Sequence, residues 1–435
     1  MAKCSKEHSA RASLGALGEY LRRCQVFAPL REQVKVAQKV VKYRVVDKLL
    51  DAVIGMLCGA KTIAQSNLTV RVDPAVQRAC GRQGCAEHST IVRTLHACTT
   101  EAVTQLERVS WYYLQRYGHT PHHRFREQLL WVDSDVTPLP IGAKAAGSER
   151  SWRGRCRSKT GRKVLRVTAS AYREILHETL LRGKAAVVPA LKAALSEIEE
   201  RLHWTPERRQ RIVRRLDGGC GATATLNWLL SRGSQLVGKI STSPRVRTLR
   251  QQLGSWQPPS SPGREMAAVL RPHRFCRTTR QWIIRTPQET GGGYQYAALR
   301  TTLPEFAPFA VADPYDARAS IEASFCQDKH ALGMVKRRQR KWEAQQVVLL
   351  LARLAPHLLV WAKRGLSREP STRRRLRGYG LVRLLQEMGT GPGILCWQHG
   401  WLVSIRFDPL PPLARVLQQG FTALFRDRVE VSCLR

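Results

Sequence analysis

Four residues near the end of the third quarter of the chain constrain it most: Tyr315, Arg318, Glu322 and Lys329. On a helix of 100° per residue they fall at about 0°, 300°, 340° and 320°, so all four share one narrow stripe. Asp313 and Pro314 just upstream suit an N-cap and a first helical residue. Ile321, Phe325 and Leu332 form an apolar stripe beside the polar one, at about 240°, 280° and 260°. The spacing therefore predicts a helix that packs on a core and turns a phenol, a carboxylate and two cations into a cleft. The ordinary alternative is a solvated face with stray ion pairs, in a chain that carries 72 Lys and Arg. One carboxylate flanked by two cations suits a place where a metal ion meets phosphates. Glu322 would ligate the metal, Arg318 and Lys329 would neutralise phosphate oxygens, and Tyr315 would hydrogen-bond or stack.

This run resembles the Y-R-E-K signature of bacterial insertion-sequence transposases of the DDE type, whose catalytic core is RNase H-like. The resemblance covers roughly residues 129–362. It implies three carboxylates converging on two Mg²⁺ or Mn²⁺ ions, two of them aspartates at strand ends upstream of Glu322. In Trp131-Val-Asp-Ser-Asp-Val-Thr-Pro138, alternation puts Asp133 and Asp135 on one side of a strand. Asp135, with Thr137 two residues on, fits the first position, and Asp133 is its rival or a carboxylate beside the metal ligands. Asp217, in Arg215-Leu-Asp-Gly-Gly219, fits the second; alone it reads as a turn aspartate before glycines. Tyr315, Arg318 and Lys329 take the family's role of contacts to DNA ends. The family also holds a flipped base on an aromatic side chain, for which Trp256 and Trp282 are candidates beside the plainer reading of a structural hairpin tryptophan. The partners so implied are double-stranded DNA at element ends and target, and a second copy of the chain in the DNA complex. A DNA-binding protein that has lost catalysis, and a nuclease that cuts without joining, are the alternatives.

Charge points the same way independently. A formal net charge of +39 over 435 residues calls for a partner dense in negative charge, and a nucleic-acid backbone fits best. A membrane surface would want one basic amphipathic helix, whereas Arg and Lys run along the whole chain. The start of the chain is polar and charged rather than signal-like. The apolar stretch 347–362 contains Arg353, Pro356 and His357 and reads as a buried helix. Twelve cysteines without paired spacing fit a reduced, cytosolic protein, and the resemblance implies the cytoplasm and nucleoid of a bacterium. Cys80, Cys85, His88 and Cys98 match no usual zinc spacing and read as packing.

The expected organisation is α/β: an RNase H-like mixed sheet flanked by helices, with a mostly β insertion. Residues 1–125 form a helical DNA-binding domain. Residues 126–240 and 305–365 form the two parts of the core, 241–304 the insertion, and 366–435 a mostly helical region. Helical patterning covers Leu14 to Met56. Pro74–Cys80 and Ala86–Cys98 suggest a helix-turn-helix with Ser89, Thr90, Arg93 and Thr94 on its polar side. Strands are expected at Leu129–Thr137, Val164–Ala169, Arg211–Leu216 and Gln235–Ile240, with a helical stretch over Leu176–His203.

Overall fold

A computed structural model describes residues 4–40, 42–150, 159–216, 222–241, 244–257, 263–288, 292–303, 318–330, 332–409, 413–426 and 428–433. The protein is mixed α/β. It begins with β1 (Ser5–Ser9), α1 (Ala12–Arg23), α2 (Ala28–Gln33), α3 (Val45–Leu57), α4 (Pro74–Ala79), α5 (His88–Ala97) and α6 (Thr100–Tyr117). Next come β2 (Leu130–Pro140), β3 (Glu149–Arg150), β4 (Thr160–Ala169), β5 (Glu174–Leu181), α7 (Val187–Arg201), α8 (Pro206–Gln210), β6 (Ile212–Leu216), α9 (Thr223–Ser231) and β7 (Gln235–Ser241). These lead to α10 (Pro244–Arg250), β8 (Leu253–Gln257), β9 (Glu265–Val269), β10 (Arg280–Pro287) and β11 (Tyr294–Thr301). The last elements are α11 (Ala319–His330), α12 (Trp342–Leu366), α13 (Pro370–Leu376), α14 (Leu381–Met388), β12 (Gly393–Gln398), β13 (Trp401–Phe407), α15 (Ala414–Phe425) and β14 (Glu430–Cys433). They form two compact units: Met1–Gly118, Leu139–Arg162 and Cys326–Arg435 in the first, and His119–Pro138 with Lys163–Phe325 in the second.

The first unit is built around α12. Its length and composition would let it cross a membrane, but 83% of its most apolar window is buried inside the protein. Val347, Leu350, Leu351, Leu354 and Leu358 pack against α3, α5, α6 and α15. Arg353 and His357 are buried in it as well, Arg353 over the Trp111 ring and His357 stacked on Trp361. The expected buried helix is there. The terminal segments share this core: β1 pairs antiparallel with β12, in a sheet ordered β1-β12-β13-β14. The N-terminal helices and the C-terminal region thus fold together.

Helical patterning over Leu14 to Met56 resolves into α1, α2 and α3, with a non-helical stretch around Ala37 and Val40; Val40 is exposed. The helix pair at 74–98 forms. Asp73 accepts from the Val76 N–H at 3.1 Å and caps α4. Buried Asp51 pins the turn, accepting from Arg82 Nε at 2.8 Å and from the Ala86 N–H at 2.8 Å. Thr94, expected on the polar side, is buried and donates to Gln38 Oε1 at 2.7 Å, which leaves Arg93 exposed on α5. Cys80, Cys85 and Cys98 are buried, and burial pushes each thiol up to about 12. All three pack in the hydrophobic core of the first unit.

Gly333 sits at φ +64°, and a Cβ there would lie 1.9 Å from the Lys61 carbonyl oxygen. Gly333→Ala is expected to cost roughly 2–3 kcal/mol, because both the backbone conformation and the close approach forbid a side chain. A denaturant midpoint unchanged from the parent would refute this.

In the second unit the strands run in the order β4-β2-β6-β7-β11-β10-β9-β8, with β5 on the other side of β4. β2, β6 and β7 are parallel, and α9 makes the crossover between β6 and β7. The segment 241–304 is β-rich as expected, but its strands continue the same sheet, because β11 pairs antiparallel with β7. One expectation fails: residues 174–181 are strand, not helix, and α7 begins only at Val187. Glu and Leu in this stretch favour a helix locally. The stretch instead pairs along β4, with Ile175, Leu176 and Leu180 buried and Glu178 opposite Arg166 at 2.5 Å, contacts that a local sequence window cannot register.

Candidate active site

β2 presents Asp133 and Asp135 very differently. Asp133 is fully buried and pairs in register with Arg215 on the neighbouring strand β6. Arg215 donates to it twice, Nε to Oδ1 at 2.5 Å and Nη2 to Oδ2 at 2.7 Å, and also donates to Ser170 Oγ at 2.8 Å. The guanidinium lies over the Trp131 ring. Burial pushes the Asp133 carboxyl up from its ordinary value, opposed by Arg215 and then by the charge of Arg318. Asp133 is thus occupied as half of a bidentate buried pair. Asp135 stays partly open: its Oδ1 accepts from the Val136 N–H at 2.8 Å and lies 3.3 Å from Arg318 Nη2.

The carboxylate of the signature run comes to the same guanidinium. Glu322 lies in the first turn of α11, and Arg318 Nη1 donates to its Oε1 at 2.8 Å. Arg318 is only 5% exposed, while the Glu322 side chain keeps 61% of its surface open. So one buried arginine gathers Asp135 and Glu322, far apart in sequence, through two of its nitrogens. α11 is seated by Ile321 and Phe325, both buried as the apolar stripe predicts. Arg166 of β4 lies over the Phe325 ring, 4.4 Å from its centroid, and donates to Ser324 Oγ at 2.7 Å. That arginine, already held by Glu178, fixes the helix turn that carries Glu322.

Arg318 precedes the first residue of α11, and Leu332 lies beyond its end at His330, so the described helix is shorter than the stripe implies. Leu332 is buried all the same. Lys329 is half-buried in the last turn. Tyr315, with the cap residues Asp313 and Pro314, lies outside the described residues, as does Asp217. Ser134 of β2 pairs with Leu216, the residue before Asp217. Of the two tryptophan candidates, Trp282 packs in the core with Val213, Val237 and Leu299. Trp256 is half-buried on the sheet, with Arg285 over its ring at 4.1 Å.

Among the described residues no group of three or more His, Cys, Asp or Glu is placed to hold a metal ion. The donor set nevertheless fits a hard divalent cation. Asp135 and Glu322 offer oxygen only, they already converge on a positive charge, and Glu322 is open to solvent. Arg215, Arg166 and the bridging role of Arg318 escape sequence reasoning. Their only trace is an excess of arginines inside strands whose neighbours are apolar.

A family model described as transposase DDE domain group 1 matches residues 14–377. No curated protein matches the chain. Among solved structures it is similar to a cryo-EM structure of a piggyBac transposase synaptic complex with hairpin DNA, at 9% identity and a TM-score of 0.47, covering 88% of this chain and 82% of that one.

Proposed function

The chain belongs to the transposase DDE domain group 1 family, and from that premise we propose that it moves an insertion sequence by cut-and-paste transposition. One observation carries the site assignment: Asp135 and Glu322 meet on the Arg318 guanidinium. Asp217 supplies the third carboxylate in this reading. The strand order β5-β4-β2-β6-β7, with its parallel trio, supports an RNase H-like core.

Two Mg²⁺ or Mn²⁺ ions held by Asp135, Asp217 and Glu322 would activate the attacking oxygen and stabilise the leaving one at a DNA phosphodiester. The chain's own residues do the positioning. Val136 N–H orients the Asp135 carboxylate, Arg318 keeps Asp135 and Glu322 directed at one point, and Arg166 fixes the turn that bears Glu322. Tyr315 and Lys329 contact the DNA end, together with Arg318 where it is released from its carboxylates. Hydrolysis frees a 3′ hydroxyl, whose attack on the opposite strand closes a hairpin; a second water opens the hairpin to a blunt end, and the same site joins the freed 3′ end to target DNA. Two ends must be brought together, so the working form is a dimer on duplex DNA in the nucleoid. The charge of +39 supports a DNA partner.

The test uses full-length protein, linear duplex carrying the inverted repeats that flank the coding region, a target plasmid, and Mg²⁺ or Mn²⁺. Cleaved and joined products that vanish with chelator are expected. DNA binding without metal-dependent cleavage would instead make it a DNA-binding protein, and cleavage without joining a nuclease.

A further inference from the structure

The catalytic reading leaves one basic run unused: Lys336-Arg337-Arg338-Gln339-Arg340-Lys341, in the first unit. Its residues divide by burial. Arg337 and Gln339 point in; Lys336, Arg338, Arg340 and Lys341 are exposed. The inward side is tied down at many points. Arg337 donates to the Ala60 carbonyl. Buried Arg162 donates to the carbonyls of Gln339 at 3.0 Å, Arg340 at 2.9 Å and Ala146 at 2.7 Å, and lies over the Trp342 ring. The Ala146 N–H adds a second bond to the Arg340 carbonyl at 3.0 Å. Gln339 N–H donates to Gln345 Oε1 at 2.8 Å, and its side chain meets His96 at 3.0 Å. Lys341 Nζ donates to the His96 carbonyl at 2.8 Å.

Two features separate this from an ordinary solvated loop. Its backbone is held rigidly, so four cations are presented in a set arrangement instead of floating. The anchors are themselves cations: Arg162 and Arg337 are buried on carbonyls alone, and burial pushes the Arg337 guanidinium down to about 9. Among the described residues no acidic side chain forms an ion pair with any of these six cations. Burying charge without a counter-charge is costly, and an outside polyanion would relieve the mutual repulsion of the exposed set.

We infer that the outward side of residues 336–341 is a docking surface for the phosphate backbone of duplex DNA, made of none of the residues of the carboxylate site and indifferent to base sequence. It rests on the DNA reading of the protein given above. Lys336, Arg338 and Arg340 are the contacts, and Arg162, Arg337 and Gln339 are positioning residues.

The experiment is fluorescence anisotropy of the full-length protein with a random-sequence duplex over a range of salt. Two triple variants are compared: K336A/R338A/R340A, and R374A/R375A/R377A, which removes the same charge from exposed arginines at α13. The first should weaken binding at least about tenfold and flatten the slope of log affinity on log salt by about 2.7, or 0.9 for each of three phosphates lost. The second should change the slope by less than about 1. The charge-conserving K336R/R338K/R340K should keep the parent slope. Equal slopes for the parent and the first variant, or equal losses in the two alanine variants, would overturn the docking surface while leaving the transposase reading intact. A parent protein whose affinity ignores salt would bring down the DNA reading and this surface with it.

Discussion

Glu322→Gln lowers metal-dependent strand cleavage by at least about a thousandfold and leaves duplex binding within about twofold; that is the result expected if Glu322 ligates the metal. The glutamine keeps the size of the side chain and a carbonyl oxygen for Arg318, but loses the charge that a divalent cation requires. Because Glu322 is largely exposed and its bridge to Arg318 lies at the surface end of the site, stability should hardly change. Asp135→Asn should behave alike, since its Oδ1 bond from the Val136 N–H survives in the amide. The measurement is single-turnover cleavage of end DNA in Mn²⁺ alongside binding and thermal unfolding of each variant. Cleavage by either variant at near-parent rates removes that residue from the metal site.

Arg215→Met tests the opposite kind of carboxylate. It strands Asp133 in a fully buried position, so a loss of roughly 3–5 kcal/mol is expected. The double replacement Asp133→Leu with Arg215→Met should recover most of that, because no uncompensated charge remains. The pH dependence has a definite sign. Burial already raises the Asp133 carboxyl, and without Arg215 it rises further, so the folded state binds its proton more tightly than the unfolded chain does. A raised folded value means stability is greatest below the unfolded value near 3.9 and falls as pH rises through the folded one. The Arg215→Met variant should therefore be less destabilised at about pH 5 than at about pH 8, relative to the parent. A variant as stable as the parent at every pH would show that the pair contributes nothing.

These two carboxylates are two residues apart on one strand, and the sequence treats them almost alike. Alternation places both on one side of β2, and Thr137 favours Asp135, but nothing local says that Arg215 closes over Asp133. That pairing depends on which strand lies next to β2, a choice made by packing 82 residues downstream. The same holds for Arg318. Its place in the Tyr-Arg-Glu-Lys run makes it a candidate, while its engagement with Asp135 arises only when α11 is laid on the sheet. Trp256 and Trp282 look equivalent in the sequence; burial in the sheet core separates them.

By itself the sequence determined what short-range physics encodes. The period of 3.6 placed α5 and the period of 2 the parallel strands to within a few residues, and an apolar run placed α12 as a buried helix. Tertiary structure alone decided β5, which pairs along β4, the pairing of β1 with β12, and the identity of the guanidinium on which Asp135 and Glu322 meet. The reason is the same in each case. A contact between residues far apart in sequence is set by which surfaces pack together in the whole molecule, and no local window contains that information.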